Sequence, residues 1–161
     1  MADVADAARV SKPLLYHYFA TKSDLYRATV AWAAEQLRAA TRPDPSLPAG
    51  QRMRAALHAH LDWIDDHALA YRAVIQGGIS SDSSVHAIVE GSRTEVVDRL
   101  AEAFELSNLT AEQQITCRGW VGFLEAASLE WLNGRPITKH ELAQLLQKSL
   151  NALMPKIRSQ Q

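Results

Sequence analysis

The chain reads as an all-α protein, on three observations. Strand-forming residues are scarce beside Ala, Leu, Glu, Gln and Arg, which are good helix formers. Apolar residues recur every three or four positions in one segment after another, the period of a helix with one buried face. The prolines and paired glycines cluster between those segments, where helices must stop. With 161 residues, 47% of them hydrophobic and 22% charged, the composition is that of a folded protein and excludes disorder over most of the length.

Residues 2–8 form the first expected helix, with Val4, Ala5 and Ala8 on its buried side. Ser11 is a suitable N-cap for the next, and Pro13 fits its first turn because the missing N–H has no helical partner there. At 100° per residue, Leu15 and Phe19 share the inward side of this helix. Pro13 and His17 point the opposite way, flanked by Leu14 and Tyr16. Thr21 or Ser23 can cap a longer helix to about Ala40, on which Leu25, Thr29, Trp32, Ala33 and Gln36 share one broad face. The segment RPDPSLPAG at 42–50 holds three prolines and a glycine, and separates a domain at 1–41 from one at 51–156.

Beyond that boundary, 51–66 is amphipathic through Met53, Leu57, Leu61 and Ile64, and a second helix spans 68–76 up to Gly77-Gly78. The polar run ISSDSS at 79–84 is a loop, and 85–106 is helical through Val85, Ile88, Val89, Val96, Val97, Leu100 and Phe104. Thr110, followed by Glu112 and Gln113, opens a long helix to about Leu132 that Asn133-Gly134 ends. Thr138 caps a last helix to about residue 154, whose stripe is Leu142, Leu145, Leu146, Leu150 and Leu153.

Charge and chemistry narrow the function classes. The net charge is −1, yet residues 1–42 carry six Lys/Arg against four Asp/Glu, leaving +2 there and −3 on the remainder. The single cysteine, Cys117, rules out an intramolecular disulfide and a multi-cysteine zinc site, and fits a reducing cytoplasm. It reads as a small buried residue rather than a nucleophile. No apolar run is long enough to cross a bilayer, and the opening residues lack a signal-peptide pattern. His58 and His60, two apart on a helix, diverge and make a poor metal pair. No Ser/His/Asp constellation, usefully spaced acid pair, P-loop or glycine-rich nucleotide fingerprint appears, so no enzyme, metal or cofactor is expected.

One stretch stands apart. Val10 to Lys22, VSKPLLYHYFATK, places Tyr16, His17, Tyr18 and Phe19 in one turn between lysines. Tyr and His join a flat apolar body to a hydrogen-bonding tip, which suits a helix lying in a DNA groove better than a core helix.

This region resembles the DNA-binding domain of the TetR family of bacterial transcriptional regulators. The family pattern, close to DIAxxAGVSxxxLYxYFxxKxxL, is met by Asp3-Val4-Ala5, Ala8, Val10-Ser11, Leu15-Tyr16, Tyr18-Phe19, Lys22 and Leu25. The resemblance implies a helix-turn-helix and connecting helix followed by a helical effector-binding bundle, whose last two long helices pair in a homodimer. It implies that Tyr16, His17 and Tyr18 meet the major groove and flanking phosphates of an operator, and that Lys22 meets phosphate. Ser11 and Lys12 would add backbone contacts, and Pro13 and Leu14 would reach base edges. The plainer reading makes Tyr18 a wedge between helices and Lys22 a solvated residue. Two departures stand out. Arg9 occupies the glycine position of the turn, and the family's first helix would precede Met1. A ligand-responsive regulator, most often a repressor, is therefore expected to act as a homodimer on palindromic duplex DNA. A dimerising protein that does not bind DNA is the alternative if Met1 is the native start.

In the larger domain, Trp32, His60, Trp63, His67, Tyr71, Trp120, Phe123 and Glu125 are candidates to line a pocket for a small-molecule effector, with core and boundary roles as the plainer reading. His60, Trp63, His67 and Tyr71 recur at spacings of three and four. Gly119, Gly122, Ala126 and Ala127 give 110–132 a low surface that a second helix could approach. With the leucines of 138–154 it is the expected dimer contact.

Overall fold

Helix-stop chemistry sets the element boundaries. A computed structural model describes residues 1–77, 82–106 and 108–158, and residues 79–81 of the expected polar loop lie outside it. The described residues form eight helices and no strand: α1 (Ala2–Ala8), α2 (Lys12–Tyr18), α3 (Lys22–Ala40), α4 (Ala49–Asp66), α5 (Ala68–Gly77), α6 (Ser83–Ala103), α7 (Ala111–Gly134) and α8 (Lys139–Arg158).

The caps are the expected ones. Ser11 Oγ accepts from the Leu14 N–H at 3.3 Å, satisfying one orphan donor of α2. Thr21 and Asp24 exchange two 3.0 Å bonds at the start of α3 in a capping box. Thr110 with Gln113 and Thr138 with Glu141 repeat the arrangement on α7 and α8. At α6 the helix begins two residues earlier than periodicity alone suggests, because the Asp82 carboxylate accepts from the Ser84 and Val85 N–H groups. It also ends earlier, since Glu105 turns left-handed at φ 59°. α7 runs two residues past Leu132 before Arg135, at φ 48°, closes it.

α3 is the organising strut, packed against α4, α5 and α6, while α6–α7, α7–α8 and α4–α8 contacts complete the bundle. Its inward stripe is Val30, Ala33, Ala34 and partly Leu37, set roughly 100° around the helix from the face the sequence suggests. The reason is steric. Two adjacent alanines let neighbouring helices come close, so Trp32 is turned outward and is 51% exposed, with Thr29 and Gln36 also exposed. The core runs from Leu61 and Ile64 through Val85, Val89 and Leu100 to Trp120, Leu142, Leu146 and Leu150. α1 and α2 pack only on each other among the described helices. Ala5 alone of the proposed Val4–Ala5–Ala8 face is therefore buried.

Candidate nucleic-acid interface and effector cavity

The turn between α1 and α2 is built by backbone bonds. The Arg9 N–H donates to the Asp6 carbonyl at 3.1 Å and the Val10 N–H to the Ala5 carbonyl at 3.0 Å. This six-to-one closure needs a left-handed residue, and Arg9 supplies it at φ 55°, ψ 39°. The position that the resemblance gives to glycine does require positive φ, so Arg9 sits there at a cost of about 1 kcal/mol.

The turn fixes how α2 is presented. Leu15 is buried and Phe19, in extended conformation at the helix end, is half-buried, so these two hold the helix down as expected. The outward face is continuous: Lys12, Pro13 and His17 are exposed, Leu14 and Tyr16 are each 44% exposed and Tyr18 is 72% exposed. The His17 ring stands edge-on to Tyr18, centroids 5.4 Å apart. Ser11 spends one lone pair on its cap and keeps its O–H for a partner. Lys22 opens α3 and is exposed. Exposed cations thus alternate with aromatic hydrogen-bonding tips beside two helix N-termini, a surface suited to polyanions.

A second feature lies in the bundle. A cavity of about 250 Å³ opens between α4, α6 and α7, walled by Met53, Leu57, Leu100, Trp120 and Leu124, with Thr41 beyond the end of α3 on its rim. A smaller recess of about 70 Å³ adjoins it, reaching Tyr71, Val89, Val121, Arg93 and Glu125. His60, Val96, Arg99 and Leu124 line both, so His60 stands at their junction. Its Nε2 lies 3.2 Å from Ser128 Oγ and its ring meets Tyr71 edge-on at 5.5 Å. Burial holds the His60 pKa down to about 4 and pushes that of the Tyr71 hydroxyl well up, so both are neutral near pH 7.

Of the eight candidate lining residues, His60, Tyr71, Trp120 and Glu125 meet at this paired cavity. Trp32, Trp63, His67 and Phe123 line neither part. The spacing of three and four misleads because α4 ends at Asp66 and the chain turns at His67. There His67 stacks on Trp63 at 4.7 Å, while Tyr71 belongs to α5 and swings toward His60. Phe123, 40% exposed, lies on the outer side of α7. His58 is exposed and His60 buried, diverging as two positions on a helix must. Cys117 is fully buried, which raises its thiol pKa.

Sequence reasoning missed the arginines. Arg99 reaches from α6 to the end of α3, donating to the Thr41 carbonyl and Oγ1 at 3.3 and 3.1 Å. Arg52 donates to the Leu47 and Pro45 carbonyls at 2.8 and 3.0 Å on the cavity rim. Arg27 of α3 donates to Asp82 at 3.1 Å; the Ser84 hydroxyl first, and then this arginine, hold the Asp82 carboxyl well below the usual range. The partners of Arg99 and Arg27 lie far apart in sequence, so the usable signal there was a charged residue on an otherwise apolar face.

A short helix pair closed by a left-handed turn, presented at the end of a strut that enters a helical bundle, defines a helix-turn-helix protein with a separate cavity-bearing domain. The chain belongs to the TetR family. Residues 1–29 match the model described as bacterial regulatory proteins, tetR family, and residues 49–153 match the one described as tetracyclin repressor-like, C-terminal domain. A curated relative, the HTH-type transcriptional activator FasR of Mycolicibacterium smegmatis, is 30% identical over 144 residues, covering 86% of this chain. The chain spans 66% of that relative, just under two thirds of its length. A TetR-family transcriptional regulator from Streptomyces coelicolor superposes with a TM-score of 0.86 at 28% identity, over 98% of this chain and 72% of that one. A TetR-like regulator from Rhodococcus sp. RHA1 shares the fold, with a TM-score of 0.77 at 24% identity over 91% of this chain and 79% of that one.

Proposed function

We propose that the chain is a ligand-responsive transcriptional regulator that binds a palindromic operator as a homodimer. The observation that carries this reading is the outward face of α2, where Tyr16, His17 and Tyr18 stand exposed between Lys12 and Lys22 while Leu15 anchors the helix. Pro13, Leu14, Tyr16 and His17 would meet base edges, and Ser11, Lys12, Tyr18 and Lys22 the rim of the groove and its phosphates. A two-fold dimer through 110–132 and 138–154 would set two such helices about 34–36 Å apart, one turn of duplex.

Control would run through α3. One end of this strut meets the cavity rim at Thr41, and near its other end Arg27 and Ser23 bond Asp82 at the start of α6. An effector that fits the cavity better in one arrangement of α3 and α6 than in another shifts the tilt of the heads by that difference in affinity. Repression is the reading carried forward, although the M. smegmatis relative bears the name of an activator. A reporter fused to the recovered operator decides the sign.

The test is selection of bound duplexes from a random pool by the full chain. A palindrome with half-sites about one turn apart is the expected product. Tyr16→Ala and His17→Ala should abolish selection, while Lys22→Ala should weaken all sequences alike and lower the salt slope by about 1. Failure to enrich any sequence would overturn the reading.

A further inference from the structure

The junction of the two recesses holds one polar group that the protein leaves over. Tyr71 is 1% exposed and its hydroxyl has no hydrogen-bond partner. Ser128 Oγ lies near enough to act on that hydroxyl, but it is shared with His60 Nε2 at 3.2 Å and makes no well-formed bond to Tyr71. A buried hydroxyl left unpaired is destabilising, and native interiors rarely keep one without a use. Tyr71 lines the smaller recess, which communicates through His60 with the larger apolar cavity.

The charges nearest Tyr71, those of Arg93 and Glu125, are already paired with each other. Arg93 Nε and Nη2 donate to the two oxygens of Glu125 at 2.8 Å each, and Arg93 Nη1 donates to Glu90 at 2.6 Å. At the mouth, Arg99 bonds the carbonyls of Arg38 and Thr41, the negative end of α3, and Arg52 bonds the carbonyls of Pro45 and Leu47. Glu102 and Glu105 also line the mouth, so its charges balance. A carboxylate or ammonium brought beside Tyr71 and His60 would meet two neutral groups and a closed ion pair, and would lose its hydration there without a counter-ion.

We propose that Tyr71 and His60 form a hydrogen-bonding subsite for one uncharged oxygen, a hydroxyl or carbonyl, of an otherwise apolar effector whose body fills the larger cavity. This rests on reading the cavity as the effector site. The Tyr71 O–H donates to a ligand carbonyl, or exchanges donor and acceptor roles with a ligand hydroxyl. His60, neutral and tied to Ser128, lines both recesses beside it and offers a ligand oxygen a polar neighbour without charge.

The experiment measures binding of 1-octanol, 2-octanone and octanoate to the full chain at pH 7.5, through isothermal titration calorimetry. The alcohol and ketone should bind at least tenfold more tightly than octanoate. Tyr71→Phe should weaken the alcohol and ketone about tenfold with little change in the melting temperature, because the buried ring is kept and the hydroxyl makes no well-formed bond in the ligand-free protein. Isotope-edited infrared gives an independent signature: the ketone C=O stretch falls on binding and recovers in Tyr71→Phe. Equal or tighter octanoate binding, unchanged ketone affinity in Tyr71→Phe, or no binding by any probe would overturn the subsite. If the neutral probes bind through Tyr71 but leave affinity for the selected duplex unchanged, the subsite stands and the regulatory reading of the cavity falls.

Discussion

Arg93 on α6 grips Glu125 on α7 with two parallel 2.8 Å hydrogen bonds, and the two side chains are only 14% and 16% exposed. A bidentate, largely dehydrated pair of this kind fixes the separation and rotation of the two helices that wall the smaller recess. Glu125, a candidate ligand contact from sequence, is committed to this tie. Glu125→Gln should cost about 1–2 kcal/mol and Glu125→Ala about 2–3 kcal/mol, less than a fully isolated buried pair because Glu90 still faces Arg93. Urea unfolding of Arg93→Ala, Glu125→Ala and the double variant checks it. Losses that simply add would show that the pair is not coupled.

His60 gives the protein a definite acid response. Its folded pKa, about 4, lies below the ordinary 6.5, so the unfolded chain takes up the proton first as pH falls. Stability is therefore complete above about pH 6.5 and is lost progressively toward pH 4, in total roughly 3 kcal/mol. Asp82, an acid whose pKa is also depressed, acts in a separate window, its contribution disappearing only below its ordinary value of 3.8. Unfolding free energies measured at pH 7.5 and 5.0 should differ in wild type and differ much less in His60→Gln. A pH-independent wild type between those values would contradict the buried neutral imidazole.

Element boundaries were legible because caps are local. Ser11, Thr21, Thr110 and Thr138 each bond a backbone or side chain three residues away, so sequence carries the whole interaction. Facing is less local. Trp32 looks like a core residue by type and spacing, but which stripe of α3 turns inward depends on how closely α5 and α6 can approach Ala33 and Ala34. The exposed face of α2 was readable because its spacing lies within two turns of one helix. The cavity was only half readable. His60 falls on the apolar stripe of α4, but Arg99 and the end of α3 meet it through contacts of up to 61 residues' separation, and Trp63 and His67 pair with each other instead.

Arg9 is strained by choice of residue rather than by packing, and this can be relieved. At φ 55° glycine is the residue without a steric penalty, so Arg9→Gly should stabilise the α1–α2 turn by about 1 kcal/mol. The readout is amide exchange at Val10, whose N–H closes the turn on the Ala5 carbonyl at 3.0 Å. Protection there should rise about fivefold, the equivalent of that energy, while amides of α7 stay unchanged. Arg9→Ala, which keeps the Cβ, should bring no gain. An equal gain from alanine would place the cost in the arginine side chain instead.

The outer side of α7 makes the proposed dimer testable without touching the core. Ile115, Gly119, Gly122 and Ala126 recur at spacings of four, three and four and are all exposed, with Phe123 beside them and Leu145 exposed on α8. A Cβ added at Gly119 or Gly122 meets nothing within 4 Å, so within one subunit neither glycine is required by space. Considered alone, Gly122→Ala should strengthen α7 by up to about 1 kcal/mol, the difference in helix propensity. A side chain at the same position would hold a second helix off, because small residues are what allow close approach. Gly119→Leu with Gly122→Leu should therefore leave the helical circular dichroism intact and shift the sedimentation coefficient from dimer to monomer. It should also weaken operator binding, since two linked heads bind far more tightly than one. A wild-type chain that sediments as a monomer, or a double variant that stays dimeric, would place the subunit contact elsewhere.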